Sequence, residues 1–139
     1  MIALDHISLR VRDLARSITF YSQVLGFRHE GQHGPYDIMR VNDAFTLNLR
    51  QASELHHEHL AFNMDPESFD AVLARLVERR IPYGGWPSEM DSGMLGESLG
   101  ARGITDVAYF ADPDGHTLEL CFYPEPWKPR LFTNTEQAT

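Results

Sequence analysis

One strand pattern occurs twice in this chain, and that repetition confines the fold to two copies of one unit. The first copy opens on Leu4-Asp5-His6-Ile7-Ser8-Leu9 and closes on Thr46-Leu47-Asn48-Leu49. The second opens on His57-Glu58-His59-Leu60-Ala61-Phe62 and closes on Thr117-Leu118-Glu119-Leu120. Superposing the copies sets His6 on His59 and Asn48 on Glu119. The histidines are 53 positions apart and the closing residues 71 apart, so the second copy carries an extra 18 residues. These fall in the glycine-, serine- and methionine-rich stretch 85–103.

From 6 to 11 polar and apolar residues alternate, the period of a half-buried strand. Asp13 then stands as the N-cap of a helix with Leu14, Ile18, Tyr21, Val24 and Leu25 along one face and Gly26 as its stop. Arg16 occupies the place of a capping-box acid, so no box is expected. Segments 27–30, 36–41 and 45–50 read as three strands separated by Gly/Pro or Asn-Asp turns. In the second half, 57–64 reads as a strand and Asp65-Pro66-Glu67 as a helix start, with Phe69, Val72, Leu73, Leu76 and Val77 as its apolar stripe. Segments 105–111 and 116–122 form a hairpin about Asp112-Pro113-Asp114-Gly115. The expected fold class is α+β, one domain over 1–123 built of two βαβββ modules, 1–52 and 53–123. The 85–103 stretch reads as a long functional loop. Residues 124–139 read as a tail packing through Trp127 and Leu131 at best.

Side chains alternate across a strand, which assigns faces. Ile7, Leu9 and Val11 oppose His6, Ser8 and Arg10, while Phe45, Leu47 and Leu49 oppose Thr46, Asn48 and Arg50. Leu60, Phe62 and Met64 oppose His59, Ala61 and Asn63. Leu118, Leu120 and Phe122 oppose Thr117, Glu119 and Cys121. Each sheet thus has an apolar face for its helix and a polar face left over, and the two polar faces are expected to line a common cleft. A lone histidine on such a face is ordinarily solvated. His6, His59 and Glu119 at repeat-equivalent positions are a coincidence that solvation does not require. Two imidazoles and a carboxylate suit one divalent cation: Fe, Mn, Zn, Ni or Co. Arg10 and Arg50 are candidates for holding an anionic substrate. His29, His33, His57 and His116 receive no role, and Cys121 reads as a buried, inert thiol.

Composition removes other classes. A chain of 139 residues with 42% hydrophobic and 23% charged residues is an ordinary globular protein. A net charge of −8 opposes a nucleic-acid surface, and no apolar run approaches a membrane span. One cysteine forms no internal disulfide, and no signal-peptide order opens the chain, so a cytoplasmic location is expected.

Several motifs together resemble the vicinal oxygen chelate superfamily of glyoxalase I, fosfomycin-resistance proteins, extradiol dioxygenases and bleomycin-resistance proteins. They are Asp5-His6-Ile7-Ser8-Leu9, Asp13-Leu14-Ala15-Arg16-Ser17, Phe20-Tyr21, Leu25-Gly26-Phe27 and His59-Leu60-Ala61-Phe62. To these is added the run Tyr109-Phe110-Ala111-Asp112-Pro113-Asp114-Gly115-His116-Thr117-Leu118-Glu119. The resemblance implies curved mixed sheets around a metal-centred cleft, with ligands His6, His59 and Glu119, and a homodimer acting on a small-molecule substrate by Lewis-acid catalysis. Asn48 would orient substrate or water, supported by Ser8, with Tyr109 and Trp86 touching substrate and 85–103 as a lid. Asn48 stands where glyoxalase I usually carries a further acidic ligand. The 86–102 segment has Ser88, Ser92 and Ser98 but lacks the lysine of thiol-transferring fosfomycin enzymes. Gly100-Ala101-Arg102 replaces the acid/base histidine of extradiol dioxygenases, which disfavours ring cleavage. A metal-free sequestering protein of bleomycin-resistance type is the other alternative, and the retained ligand set argues against it.

Overall fold

A computed structural model describes residues 1–124. The chain forms two units: Met1–Glu58 with Ala111–His116, and His59–Phe110 with the described residues from Thr117 on. The expected tail contacts of Trp127 and Leu131 lie outside the described residues.

In the first unit β1 (His6–Val11), α1 (Leu14–Gln23), β2 (Arg28–His33), β3 (Tyr36–Asn42) and β4 (Phe45–Gln51) give the order βαβββ. The sheet runs β1-β4-β3-β2, with β1 parallel to β4 and the other pairs antiparallel. Asp13 caps α1 by accepting the Arg16 N–H at 3.0 Å, and no acid stands at Arg16 to close a box. Leu9, Val11, Tyr21, Val24, Met39, Leu47 and Leu49 are buried as the face rule requires. Asp37 breaks that rule, lying nearly buried beside Leu49 in register; His29 Nε2 satisfies its carboxylate at 2.9 Å.

In the second unit β5 (His59–Asn63), α2 (Pro66–Glu78), β6 (Gly96–Gly100), β7 (Gly103–Ala111) and β8 (Thr117–Phe122) repeat the order, with the sheet β5-β8-β7-β6. Asp65 caps α2 through the Ser68 N–H at 2.8 Å, with proline in the first turn. Phe69, Val72 and Leu76 cover the face that carries Leu118 and Leu120. Both halves are therefore α+β with mixed four-stranded sheets.

The 85–103 stretch is not one long loop. It contains β6, which pairs antiparallel with β7 from Gly96↔Val107 to Gly100↔Gly103. Glycines here and just before it serve close backbone approach: a Cβ on Gly84 would collide with the Glu89 carbonyl, and one on Gly96 with that of Gly85. Gly84 bridges Tyr109 in the same sheet. Ahead of β6, Trp86 bridges Glu89.

Candidate metal centre

The two sheets share a register that confirms the sequence repeat within each unit. In the first, His6 pairs with Thr46 and Ser8 with Asn48; in the second, His59 pairs with Thr117 and Ala61 with Glu119. Each histidine thus stands two residues before the partner of Asn48 or Glu119, and an interval of two keeps it on the same face.

In the second unit this brings two expected ligands together. His59 Nε2 lies 2.8 Å from Glu119 Oε2, donating to it. The Glu119 side chain is only 7% exposed, so its charge must be matched locally. Its other oxygen accepts the Cys121 S–H at 3.5 Å. Tyr109 completes the cluster, its ring edge-on to His59 with centroids 5.9 Å apart. Burial above all raises the Tyr109 phenol above its ordinary value; Ser98 opposes this by hydrogen bonding and the Glu119 charge adds to it. Burial, reinforced by Glu119, pushes the Cys121 thiol up to about 12. Cys121 is a buried free thiol packed against Val107 and Tyr109.

In the first unit His6 Nδ1 lies 2.7 Å from Asp5 Oδ2. A carboxylate on one ring nitrogen orients an imidazole and leaves Nε2 to bind. Asn48 Oδ1 accepts the Thr46 hydroxyl at 3.0 Å, and Ser8 is its ladder partner. Arg10 and Arg50 are paired across the same ladder. Among the described residues no carboxylate neutralises either, and Arg10 Nη1 approaches only His56 Nε2, at 3.5 Å. Trp86 is 57% exposed, next to its bridge with Glu89.

His59 Nε2 and Glu119 Oε2, 2.8 Å apart, are an imidazole nitrogen and a carboxylate oxygen, the donor types that would hold a divalent ion. Asp112, Asp114 and His116 also bring donor atoms within 4.8 Å of one another, and those atoms are hydrogen-bonded within the fold. Asp112 Oδ1 accepts the Asp114 and His116 N–H groups, and Oδ2 accepts the Tyr21 hydroxyl at 2.8 Å. Asp114 accepts from the Arg12 amide, the Arg16 guanidinium and the Ser17 hydroxyl. His116 spends both ring nitrogens on backbone. This is a turn locked by hydrogen bonds. Sequence reasoning saw the turn and missed what holds it, since Tyr21 reads as one more apolar helix position.

Residues 3–120 match the model of the Glyoxalase/Bleomycin resistance protein/Dioxygenase superfamily. The chain belongs to that superfamily. Within it, the glutathione transferase FosA of Serratia marcescens is 27% identical over 125 residues, covering 85% of this chain and 79% of that protein. The lactoylglutathione lyase of Pseudomonas aeruginosa is 26% identical, covering 84% and 80%. Among solved structures, the oxidase ChaP-H2 superposes with a TM-score of 0.78 at 25% identity, over 91% of this chain and 97% of that one. The resemblance seen in the sequence motifs is thereby established for family and fold. Among the described residues no helix is long and apolar enough to cross a membrane.

Proposed function

We propose that this superfamily member is a divalent-metal-dependent enzyme of the vicinal oxygen chelate type, with His6, His59 and Glu119 as its ligands. The observation that carries the reading is the 2.8 Å approach of His59 Nε2 to a nearly buried Glu119 carboxylate. A bound ion (Fe, Mn, Zn, Ni or Co) would supply Lewis-acid stabilisation of negative charge developing on a substrate oxygen. The chain's own residues do the rest. Glu119 and His59 hold their donor atoms side by side, and Asp5 fixes the His6 ring. Tyr109, kept protonated, offers a hydrogen-bond donor beside Glu119. Arg10 and Arg50 bind an anionic group of a small oxygen-bearing substrate, Trp86 contacts its apolar part, and Asn48 with Ser8 orients it. The reaction class is lyase or transferase, as in the glyoxalase- and fosfomycin-resistance-like branches, in a cytoplasmic homodimer. The likeness to the oxidase ChaP-H2 favours one second reading, an oxygen-dependent oxidation.

Metal analysis of protein purified without added metal tests the proposal. Stoichiometric metal, or uptake of Mn, Fe, Ni, Zn or Co, is expected, and Glu119→Ala should abolish it with circular dichroism unchanged. Neither native metal nor uptake would overturn the assignment. Oxygen consumption by the iron-loaded protein with aromatic substrates separates the second reading from the first.

A further inference from the structure

We infer that His116 sets the register of the β5–β8 pair and is thereby a positioning residue for His59 and Glu119. The inference rests on the reading of those two as metal ligands. β5 and β8 are parallel, so no tight turn between them fixes their alignment, and a slip of one residue would turn a ligand to the opposite face. The observed ladder begins at His59↔Thr117. One step before it stand Glu58 and His116, and there the contact is made by a side chain: His116 Nδ1 accepts the Glu58 N–H at 3.0 Å.

The ring has little freedom to do otherwise. Its Nε2–H donates to the Arg10 carbonyl at 2.8 Å, and the residue is 1% exposed. The His116 N–H donates to Asp112 Oδ1 at 2.9 Å, and its carbonyl accepts the Asp112 N–H at 3.0 Å. A slip in one direction would set Glu58 against Gly115, which has no side chain to accept. The repeat provides an internal comparison. Phe45 is the position equivalent to His116 and has no side-chain acceptor; there Thr46 N–H donates to the Asp5 carbonyl at 3.2 Å. The imidazole is thus particular to the half that carries two of the three proposed ligands.

The test compares wild type with His116→Asn, His116→Gln and His116→Ala, well below their melting temperatures. Zinc affinity is read by competition with a chromophoric chelator, and amide hydrogen exchange is followed at 58–63 and 117–122 in metal-free protein. Asparagine keeps an acceptor at the place of Nδ1, whereas glutamine keeps only the donor at the place of Nε2. Gln and Ala should therefore weaken zinc binding by about 10–100-fold and speed exchange in both segments, with Asn close to wild type in both. Variants that melt earlier yet bind zinc and exchange like wild type would overturn the inference, as would Asn behaving like Ala. Should wild type bind no metal, the ligand reading fails, and the exchange comparison still decides the register role. If His116→Ala does not fold, the Asn and Gln pair carries the test.

Discussion

Asn48 in the first sheet and Glu119 in the second hold the same place in the same parallel ladder, yet their surroundings differ. Asn48 is half-buried, beside Ser8 and bonded to the Thr46 hydroxyl. Glu119 is buried, with one oxygen against His59 and the other against Cys121. A neutral amide needs little from its neighbours, whereas a buried carboxylate needs a partner for each oxygen. The duplicated unit thus supplies the geometry twice and the charge once. In the second unit an acid meets an imidazole directly, and in the first the histidine meets Asp5 while an amide holds the ladder position.

The comparison breaks most sharply at the carboxylate. Glu119→Ala should remove metal uptake, whereas Asn48→Ala should weaken it by at most about tenfold, both read by the same metal titration. Equal losses would mean that the halves contribute alike. Next in size is the lock on the Asp112 turn. Tyr21→Phe leaves Asp112 Oδ2 buried without its donor and should cost about 1–3 kcal/mol in urea unfolding.

A pH effect follows from Cys121. A thiol raised from 9.0 to about 12 in the folded state favours folding while it stays protonated. That contribution is whole below pH 9 and fades as pH rises towards 12. Iodoacetamide should leave native metal-free protein unlabelled at neutral pH and label it in denaturant. The smallest effect concerns the caps. Asp13→Ala and Asp65→Ala should each lower Tm by a few degrees at most. The Ser68 hydrogen bonds hold the Asp65 carboxyl below its ordinary range, so its contribution is present at neutral pH and lost on acidification. Thermal scans of both variants at neutral and acid pH check the direction.

Much of this was legible in the residues. Alternation placed β1 at its observed limits and set Glu119 and Cys121 on the face away from Leu118 and Leu120. Asp13 and Asp65 marked both helix starts. The 85–103 stretch misled because glycine marks close backbone approach as well as loops; β6 is built of Gly-Glu-Ser-Leu-Gly with no β-branched residue. Tyr21 and His116 were opaque for another reason. Their partners, Asp112 for one and Arg10 with Glu58 for the other, lie 58 to 106 residues away in the chain, and local periodicity carries no information at that range.

By itself the sequence determined the repeat and the two faces of each sheet, because both follow from the spacing of residues along the chain, and its motifs carried the likeness to the superfamily. The tertiary structure decided the rest. It showed that the Glu119 carboxylate is buried against His59, that the Asp112–His116 turn is held by hydrogen bonds to distant groups, and that an imidazole stands at the end of the β5–β8 ladder. Those outcomes depend on which distant groups meet, and a hydrogen bond of 3 Å is fixed only when the chain has folded around both partners.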